Sequence, residues 1–385
     1  MNRTMALVIP SRTGQFDYTD EHALLASTAA DLLGRRWDFA AVRRTARDDS
    51  GFDPALHREL CELGWLGLCL PTEVGGSGMP ASALPCLFEP IGQRLLAGPY
   101  LASTLASQAL TFAASSAQQR AILPPLAAGA ELATVALYEP DGSYLLDAPT
   151  LTAKSVSNGF ELTGQKTSVL DTGSAQHVLV LARLSGEPAW FWIPANQLQG
   201  RITREIVIDE TRRSARIDFT GLQLAAATLL EGDARRALEH VQHVAWLLSA
   251  AEMAGGVEGV LALTLDYLRT RTQFGKPIGS YQALKHPMAE IMCSLEEGRS
   301  LLYRAASALA RNDADAEIVL RMAKAQLGEG YAHATDRSIQ FHGAIGFTYE
   351  CHAQLFFRRA QWLEHSFGDA PHHRRKLADL LYPKS

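Results

Sequence analysis

Two segments near the end of the 385-residue chain carry residue types that could hold a phosphate or a flat ligand. The first, Arg269–Gln282 (RTRTQFGKPIGSYQ), offers the guanidinium fork of Arg271, which suits a phosphate group. The second, Gln340–Glu350 (QFHGAIGFTYE), contains Gly343 and Gly346, where a backbone can approach a planar ring or a pyrophosphate closely. Each segment alone is better explained by a helix end, because glycine and proline commonly terminate helices.

Five acidic residues lie where a general base could be sought, and each has an ordinary structural interpretation. Glu239, Glu252 and Glu258 fall on one predicted helix, where a surface or interhelical carboxylate is favoured over a base. Asp369 follows a glycine and predicts a local turn hydrogen bond, and Glu364 lies just before that glycine turn. No catalytic residue is therefore assigned among them.

The C-terminal histidines do not predict a metal site, since no pair has the spacing of tetrahedral ligands on one helix. They are His352, His365, His372 and His373. The last two open a basic run that ends at Lys376. A solvated helix face is the favoured interpretation of this run, over contact with ligand phosphates.

The composition excludes several classes of protein. Lys plus Arg (36) against Asp plus Glu (41) gives a net charge of −5, too mild to indicate nucleic-acid or anionic-membrane binding. The five cysteines form no CxxC pair, which fits a reducing compartment rather than a disulfide framework. Met1–Gln15 has too short an apolar stretch for a signal peptide, and Leu95–Gln119 is too polar to span a bilayer. We expect a cytoplasmic protein with no membrane span.

The composition divides the chain into three zones, and the structures that these zones form must position the two glycine-bearing segments. Residues 1–130 are typical of helices, 131–231 of short strands and 232–385 of helices again, so we predict three domains with these bounds. In the first zone, Asp53-Pro54 predicts a helix start, with an N-cap aspartate before a proline at the first helical position.

The middle zone predicts a small antiparallel β-barrel or sandwich. Its short, β-branched or alternating runs are separated by turn residues, and Ser157-Asn158-Gly159 is a strong hairpin signal. Trp190 and Trp192 alternate with another aromatic residue and are assigned to the core of this zone. The predicted strands are TVALY, LTAKSV, GFELTG, HVLVLARL, AWFWIP and ARIDFTGLQL.

The third zone predicts an up-and-down bundle of long helices. The stretch 234–276 contains no proline, so one helix could approach about 60 Å at 1.5 Å per residue. Further helices are expected over 287–310, 313–341 and 353–365.

Taken together and in this order, the motifs resemble those of the acyl-CoA dehydrogenase family of flavoproteins over nearly the whole chain. They are ALYEP-DGS, ELTGQK, RTxFGxPIGxxQ and QxHGxxGFTxE, at the relative positions expected for the family. The resemblance implies an α+β fold, in which an N-terminal helical domain, a middle β-barrel domain and a C-terminal four-helix bundle clasp FAD. It also implies dimers that pair their bundles.

The resemblance further implies which residues contact the ligands. The implied FAD contacts are Arg271 and Gln273 at the pyrophosphate across a subunit interface, Phe274 near the adenine, and Gln340, Gly343 and Gly346 from the facing subunit. Ser143 matches a serine that helps to hold an acyl-CoA or cofactor phosphate.

The chain departs from the family at the catalytic base. Dehydrogenation of an acyl thioester needs a base that removes the α-proton. This base is usually a carboxylate whose pKa is raised by an apolar pocket. The two family positions for this glutamate correspond to Phe367 and Ala245, so neither carries a carboxylate. Trp246 stands where an arginine is usual and is expected to fill ligand space.

The flavin-facing part of the middle zone departs as well. Tyr138 replaces the usual threonine before the Glu-Pro pair, and Ser168 and Leu170 replace a stacking tryptophan and a flavin-bonding threonine. The ring site is therefore altered, while the phosphate and adenine side still fits the family pattern.

A subgroup of the family accounts for this combination. The ending FGDAPHHRRKLADLL resembles the small, glutamate-less subunits of heteromeric acyl-CoA dehydrogenases, which act on dicarboxylyl-CoA (pimeloyl-CoA) or steroid side-chain CoA esters. The resemblance implies an FAD-dependent acyl-CoA dehydrogenase in a homodimer, homotetramer or heterotetramer with a glutamate-bearing subunit, and an electron-transfer flavoprotein as acceptor. The alternatives are a non-catalytic subunit that completes a partner's FAD site, and an enzyme with a relocated base or a different reaction on CoA esters.

Overall fold

The computed structural model describes residues 17–382, so the expectation for Met1–Gln15 lies outside the described residues. The first zone is helical, as predicted. Its helices are α1 (Asp20–Arg36), α2 (Phe39–Arg47), α3 (Pro54–Glu62), α4 (Leu84–Arg94), α5 (Tyr100–Ala113) and α6 (Ser116–Ala127). The predicted start of α3 is confirmed, because the Asp53 carboxylate accepts hydrogen bonds from the backbone N–H groups of Ala55 and Leu56.

The middle zone consists of short strands. They are β1 (Ala133–Ala136), β2 (Thr152–Val156), β3 (Gly159–Thr163), β4 (Gln165–Leu170), β5 (His177–Leu184), β6 (Glu187–Pro194), β7 (Ile202–Glu205), β8 (Ser214–Asp218) and β9 (Leu222–Ala225). The larger sheet follows the order β1-β5-β2-β3-β9, with β6 on the other edge of β5. The smaller sheet is antiparallel in the order β4-β8-β7. Strands β4 and β7 are not among the predicted segments.

The prediction of a purely antiparallel arrangement is wrong for β5. Both β1 and β2 pair with it in parallel. Parallel pairing needs a long crossover, and the chain between β1 and β5 supplies one that contains β2, β3 and β4. The hairpin at Ser157-Asn158-Gly159 is confirmed, since β2 and β3 pair as far as Val156 opposite Gly159.

The third zone is a bundle of long helices, as predicted. Its elements are α7 (Ala234–Thr270), a hairpin of β10 (Thr272–Gln273) and β11 (Lys276–Pro277), α8 (Gln282–Arg311), α9 (Ala316–His342), α10 (Ala353–His365) and α11 (Ala370–Leu381). Helix α8 begins five residues before Pro287, contrary to the predicted start after it. Proline is tolerated there because it lies near the helix start, where few intrahelical bonds are lost.

Helix α7 has the length and apolar composition of a membrane-spanning helix, the one such case in 17–382. In the folded chain, 89% of its most apolar stretch is buried inside the protein. This burial is typical of the core helix of a soluble protein.

Helix α7 also joins the first and third zones, through a close crossing with α4. A Cβ atom on Gly92 would collide with the backbone carbonyl of Glu252, and one on Gly255 would collide with that of Glu89. Glycine at both crossing points lets the two backbones touch. One hydrophobic core therefore runs from the N-terminal helices into the bundle, while the strands enclose a second core of their own.

Candidate functional site

A cavity of about 400 Å³ lies where the three zones meet. Its walls come from α5, β1 and the segment after it, β4, the β7–β8 connection, and the end of α10. Most of the lining is apolar, including Leu105, Val135, Leu137, Leu170, Ile208 and Trp362. The position of a family base, Phe367, also lines this cavity, which makes it the place where the implied chemistry would occur.

Both family base positions are apolar in the structure. Ala245 is fully buried in α7, and Phe367 packs with its ring 5.9 Å from that of Tyr138. Trp246, which is expected to fill ligand space, does not line the cavity that remains. Its indole Nε1 instead donates a hydrogen bond of 3.0 Å to the Phe367 carbonyl, and Arg321 stacks on its ring at 4.1 Å.

The turn that carries Phe367 is fixed by a buried lysine. The Lys324 ammonium donates hydrogen bonds to the carbonyls of Leu363, Glu364 and Gly368, at 3.2, 3.3 and 2.9 Å. Burial lowers the pKa of Lys324 to about 8, although nearby carboxylates oppose this shift. Lys324 thus compensates the unpaired carbonyls at the end of α10 and holds the cavity wall in one position.

Glu139, the one acid among the described residues that line the cavity, forms an ion pair. Its carboxylate accepts a hydrogen bond of 2.9 Å from the fully buried Lys166, and others from the Thr150 N–H, the Thr150 hydroxyl and the Leu151 N–H. Burial raises the pKa of Glu139, but Lys166 and these hydrogen bonds more than offset it, so the pKa lies below its usual value. A carboxylate held ionised by four donors in this way is a poor base for an α-proton.

Glu252 is not a base either, which agrees with its predicted interhelical role. Its carboxylate is fully buried and forms ion pairs with Arg212 and Arg359. Arg359 also pairs with Asp209, and Arg212 stacks on Trp362 at 4.8 Å. These contacts tie α7 and α10 to the β7–β8 connection behind the cavity wall.

A carboxylate that sequence reasoning missed, Glu205, binds the residues at the polar edge of the cavity without lining the cavity itself. It accepts hydrogen bonds from the Thr167 hydroxyl, the Ser168 N–H at 3.0 Å and the Ser214 hydroxyl at 2.9 Å. All three donors line the cavity. The strand pairing shifts at this point of β4, and a β-bulge leaves an N–H without a ladder partner. A bulge is not visible in a single sequence, so no signal indicated Glu205.

The implied FAD contacts at the end of the bundle are exposed. Arg271 is the C-cap of α7, and Gln273 and Phe274 lie on the β10–β11 hairpin that follows, where Phe274 is 90% exposed. Gln340 lies in the last turn of α9 and is also exposed. The Tyr267 and His342 rings stack at 4.3 Å, so the hairpin after α7 and the turn after α9 lie at the same end of the molecule.

Gly343 and Gly346 differ in their surroundings. Gly343 has a positive φ of 67° and open space where a Cβ would lie, which leaves its backbone accessible. A Cβ on Gly346 would collide with the carbonyl of Ile339, so packing within the chain already requires glycine there. Ser143 accepts a hydrogen bond of 3.1 Å from the Leu145 N–H and lines a smaller neighbouring cavity, not the main one.

Asp369 and His373, which follow the Phe367 turn, pack within the chain. Asp369 is the N-cap of α11 and accepts a bond of 2.8 Å from the His372 N–H, as predicted. The solvated interpretation of the basic run is wrong for His373, which is fully buried. Burial lowers its pKa to about 2, with Lys324 and Arg321 adding to the effect. Within residues 17–382, no group of three metal-ligating side chains occurs.

The two ends of FAD fit this chain differently. Arg271 is exposed and forms no ion pair with the described residues, so its guanidinium is available to a pyrophosphate. At the cavity, the Thr167 and Ser214 hydroxyls and the Ser168 backbone N–H already donate to Glu205. Leu170 has no hydroxyl to offer. The bundle end therefore fits the outer half of FAD, whereas the cavity wall does not fit a flavin ring.

The arrangement of a helical domain, a β-domain and a long-helix bundle around an apolar cavity defines a protein of the acyl-CoA dehydrogenase fold. One chain of the ChsE4–ChsE5 complex from Mycobacterium tuberculosis superposes with a TM-score of 0.86 at 25% identity, covering 96% of this chain and 100% of that one. A Tcur3481–Tcur3483 steroid ACAD variant superposes with a TM-score of 0.83 at 27% identity, covering 94% and 98%.

Sequence comparison agrees with the fold. The family model for the acyl-CoA dehydrogenase N-terminal domain matches residues 19–130, and that for the C-terminal domain matches residues 225–381. The acyl-CoA dehydrogenase IpdE2 of M. tuberculosis is 30% identical over 342 residues, which cover 89% of this chain and 91% of IpdE2. The chain belongs to the acyl-CoA dehydrogenase family, which confirms the predicted α+β fold, FAD as the cofactor, and FAD-dependent dehydrogenation of acyl-CoA as the function.

Proposed function

We propose that this chain acts in acyl-CoA dehydrogenation as the subunit without the catalytic carboxylate, in a hetero-oligomer with a glutamate-bearing subunit. The observation that carries the proposal is the pair of apolar side chains, Ala245 and Phe367, at the two family base positions. The acids nearby are engaged: Glu139 with Lys166, and Glu252 with two arginines.

The proposed contribution of this chain to the cofactor is through the exposed bundle end. When bound, FAD accepts the hydride that leaves the substrate. In our proposal Arg271 pairs with its pyrophosphate, Gln273 and Gln340 donate hydrogen bonds, and Phe274 packs on the adenine. Gly343 lets the backbone approach, whereas Gly346 and Ser143 act through the turns they form.

The comparisons support a heteromeric assembly. Two of the solved structures that this chain resembles are named as pairs, ChsE4–ChsE5 and Tcur3481–Tcur3483, and the second is named a steroid ACAD. We propose that the partner of this chain is likewise a second acyl-CoA dehydrogenase subunit, which carries the glutamate and holds the flavin ring. An acyl-CoA is the substrate, an electron-transfer flavoprotein accepts the electrons, and the assembly works in the cytoplasm. We also keep the domain bounds 1–130, 131–231 and 232–385 as a proposal.

The test is turnover by the chain alone and with its partner. The purified chain is assayed with straight-chain, dicarboxylyl and ring-bearing CoA esters and an artificial electron acceptor, and then again after co-expression with a glutamate-bearing subunit from the native host. Since general-base catalysis contributes about 10²–10⁴-fold, the chain alone is expected to show only a residual rate. Turnover by the pure homo-oligomer at the rate of the hetero-oligomer would overturn the proposal.

A further inference from the structure

A groove that none of the described elements fills lies between the second half of α7 and the first half of α8. It has a volume of about 500 Å³. Three of its apolar residues, Leu261, Leu268 and Met288, are buried at its base, whereas Leu265 and Met292 are half-buried. The groove is therefore an apolar surface that is open to solvent in the isolated chain.

The other part of the valley between α7 and α8 already holds a helix, α4. On the α8 side, Arg299 forms an ion pair of 2.8 Å with Glu89 of α4. On the α7 side, a Cβ atom on Gly259 would lie 2.5 Å from the carbonyl oxygen of Gln93, so the last turn of α4 lies against Gly259. The groove begins two residues further on, at Leu261. It therefore continues, past the end of α4, a valley that accommodates a helix.

Two cations border the groove. Arg269 on α7 and Lys285 on α8 both line it and are exposed, and neither forms an ion pair with the described residues. An apolar occupant that carries carboxylates on its flanks would pair with both cations, whereas basic flanks would be repelled. The charges thus favour an apolar occupant with acidic flanks.

One end of the groove is closed by the segment that carries the FAD contacts of our proposed function. Pro277 and Gly279 line the groove. A Cβ atom on Gly279 would come within 2.8 Å of the Leu268 carbonyl oxygen, so this segment lies directly on α7. The Ile278 N–H donates a hydrogen bond of 2.9 Å to the Arg271 carbonyl. An occupant of the groove would therefore contact the segment that positions Arg271.

We propose that the groove receives a helix of the glutamate-bearing subunit, which places apolar side chains between α7 and α8 and carboxylates beside Arg269 and Lys285. A helix with one apolar face is a common occupant of such grooves. The inference rests on the proposed function for the identity of the partner and adds the docking surface and its chemistry. The subunit that holds the flavin ring must lie beside Arg271 if both contact one FAD, and the groove opens there. A second copy of this chain would bring no flavin-ring site to that place.

The first experiment reverses the two cations in the co-expressed hetero-oligomer. The Kd between the subunits is measured by mass photometry over a dilution series. The double variant Arg269→Glu, Lys285→Glu should raise this Kd at least about tenfold at low ionic strength, and less at high ionic strength, because salt screens the charges. Arg120→Glu with Lys154→Glu is the matched control, since it changes the net charge equally at exposed positions on α6 and β2, and it should leave the Kd unchanged.

The second experiment fills the groove. Ala289 is an exposed residue of α8 that lines it, so Ala289→Trp adds bulk there without entering the core. This variant should also raise the Kd about tenfold or more, because the space for the partner helix is lost. Ala378→Trp, at an exposed position on α11, is the control and should have no effect. Urea unfolding checks that each variant is as stable as the wild type.

The outcomes separate this inference from the proposed function. Wild-type affinity in either groove variant overturns the inference, while the hetero-oligomer and the proposed function stand. If the wild-type chain forms no hetero-oligomer with a glutamate-bearing subunit, both fail. If Ala289→Trp abolishes self-association of the chain but leaves the hetero-oligomer intact, a second copy occupies the groove and the inference is wrong.

Discussion

Replacing Glu252 with Gln separates two roles that a buried glutamate on α7 can have in this fold. If Glu252 is a base, its replacement costs activity but little stability. If it belongs to a buried ion-pair cluster, its replacement destabilises the fold. Glu252 is fully buried and bridges Arg212 and Arg359. Arg359 keeps Asp209 in the variant, but Arg212 loses the carboxylate that it pairs with.

The magnitude follows from that uncompensated charge. Breaking a buried ion pair by removing one partner costs about 3–5 kcal/mol. Glutamine keeps one acceptor oxygen, so we expect a loss near the lower end, about 3 kcal/mol. The assay is urea unfolding followed by the fluorescence of the buried tryptophans, with the free energies compared by linear extrapolation.

The control is Glu239→Gln, an exposed position on the same helix, which should change stability by less than about 0.5 kcal/mol. Residual turnover of the chain alone is measured in parallel on folded protein. Loss of a general base lowers the rate by about 10²-fold or more. If Glu252→Gln is as stable as the wild type and its residual turnover falls by this factor, the structural role is refuted and Glu252 is a base.

Three further outcomes are expected. Arg271→Ala should weaken FAD binding by the hetero-oligomer on the order of 1.5–3 kcal/mol, because a charge-assisted contact is lost. The flavin content of the purified variant is measured by absorbance, and an unchanged content contradicts the assignment. The chain should assemble through α7, α8 and α9 with an interface of roughly 2,000 Å² or more, so light scattering that shows only folded monomer at micromolar concentration contradicts this. Burial lowers the pKa of Lys324 from 10.5 to about 8, so the unfolded state binds more protons between these values and stability rises with pH there. Urea unfolding at pH 7.5 and 9.5 should show the wild type gaining stability relative to Lys324→Met, and a constant difference contradicts the shift.

Much of the fold was predictable because its signals are local. The proline-free stretch after Gly232 predicts α7, and the Asp53-Pro54 pair predicts the start of α3. Ser157-Asn158-Gly159 predicts the β2–β3 hairpin. Each of these signals acts within one or two turns of chain, where backbone preference and capping are set by neighbouring residues.

The parallel pairing of β5 and the bulge in β4 were not predictable in this way. Strand β1 meets β5 some forty residues away in sequence, and nothing in either strand specifies which edge it joins. The bulge at Ser168 depends on a partner strand, so the Ser168 N–H becomes available to Glu205 only when the sheet has formed.

The sequence by itself determined the family, the cofactor and the lack of a carboxylate at Ala245 and Phe367, because these depend only on which residue occupies which motif position. Tertiary structure decided what the other acids do. Whether Glu139, Glu205 and Glu252 are free or engaged depends on donors brought from distant parts of the chain. A carboxylate's chemistry is set by its solvation and its nearest charges, and both are properties of the folded surroundings.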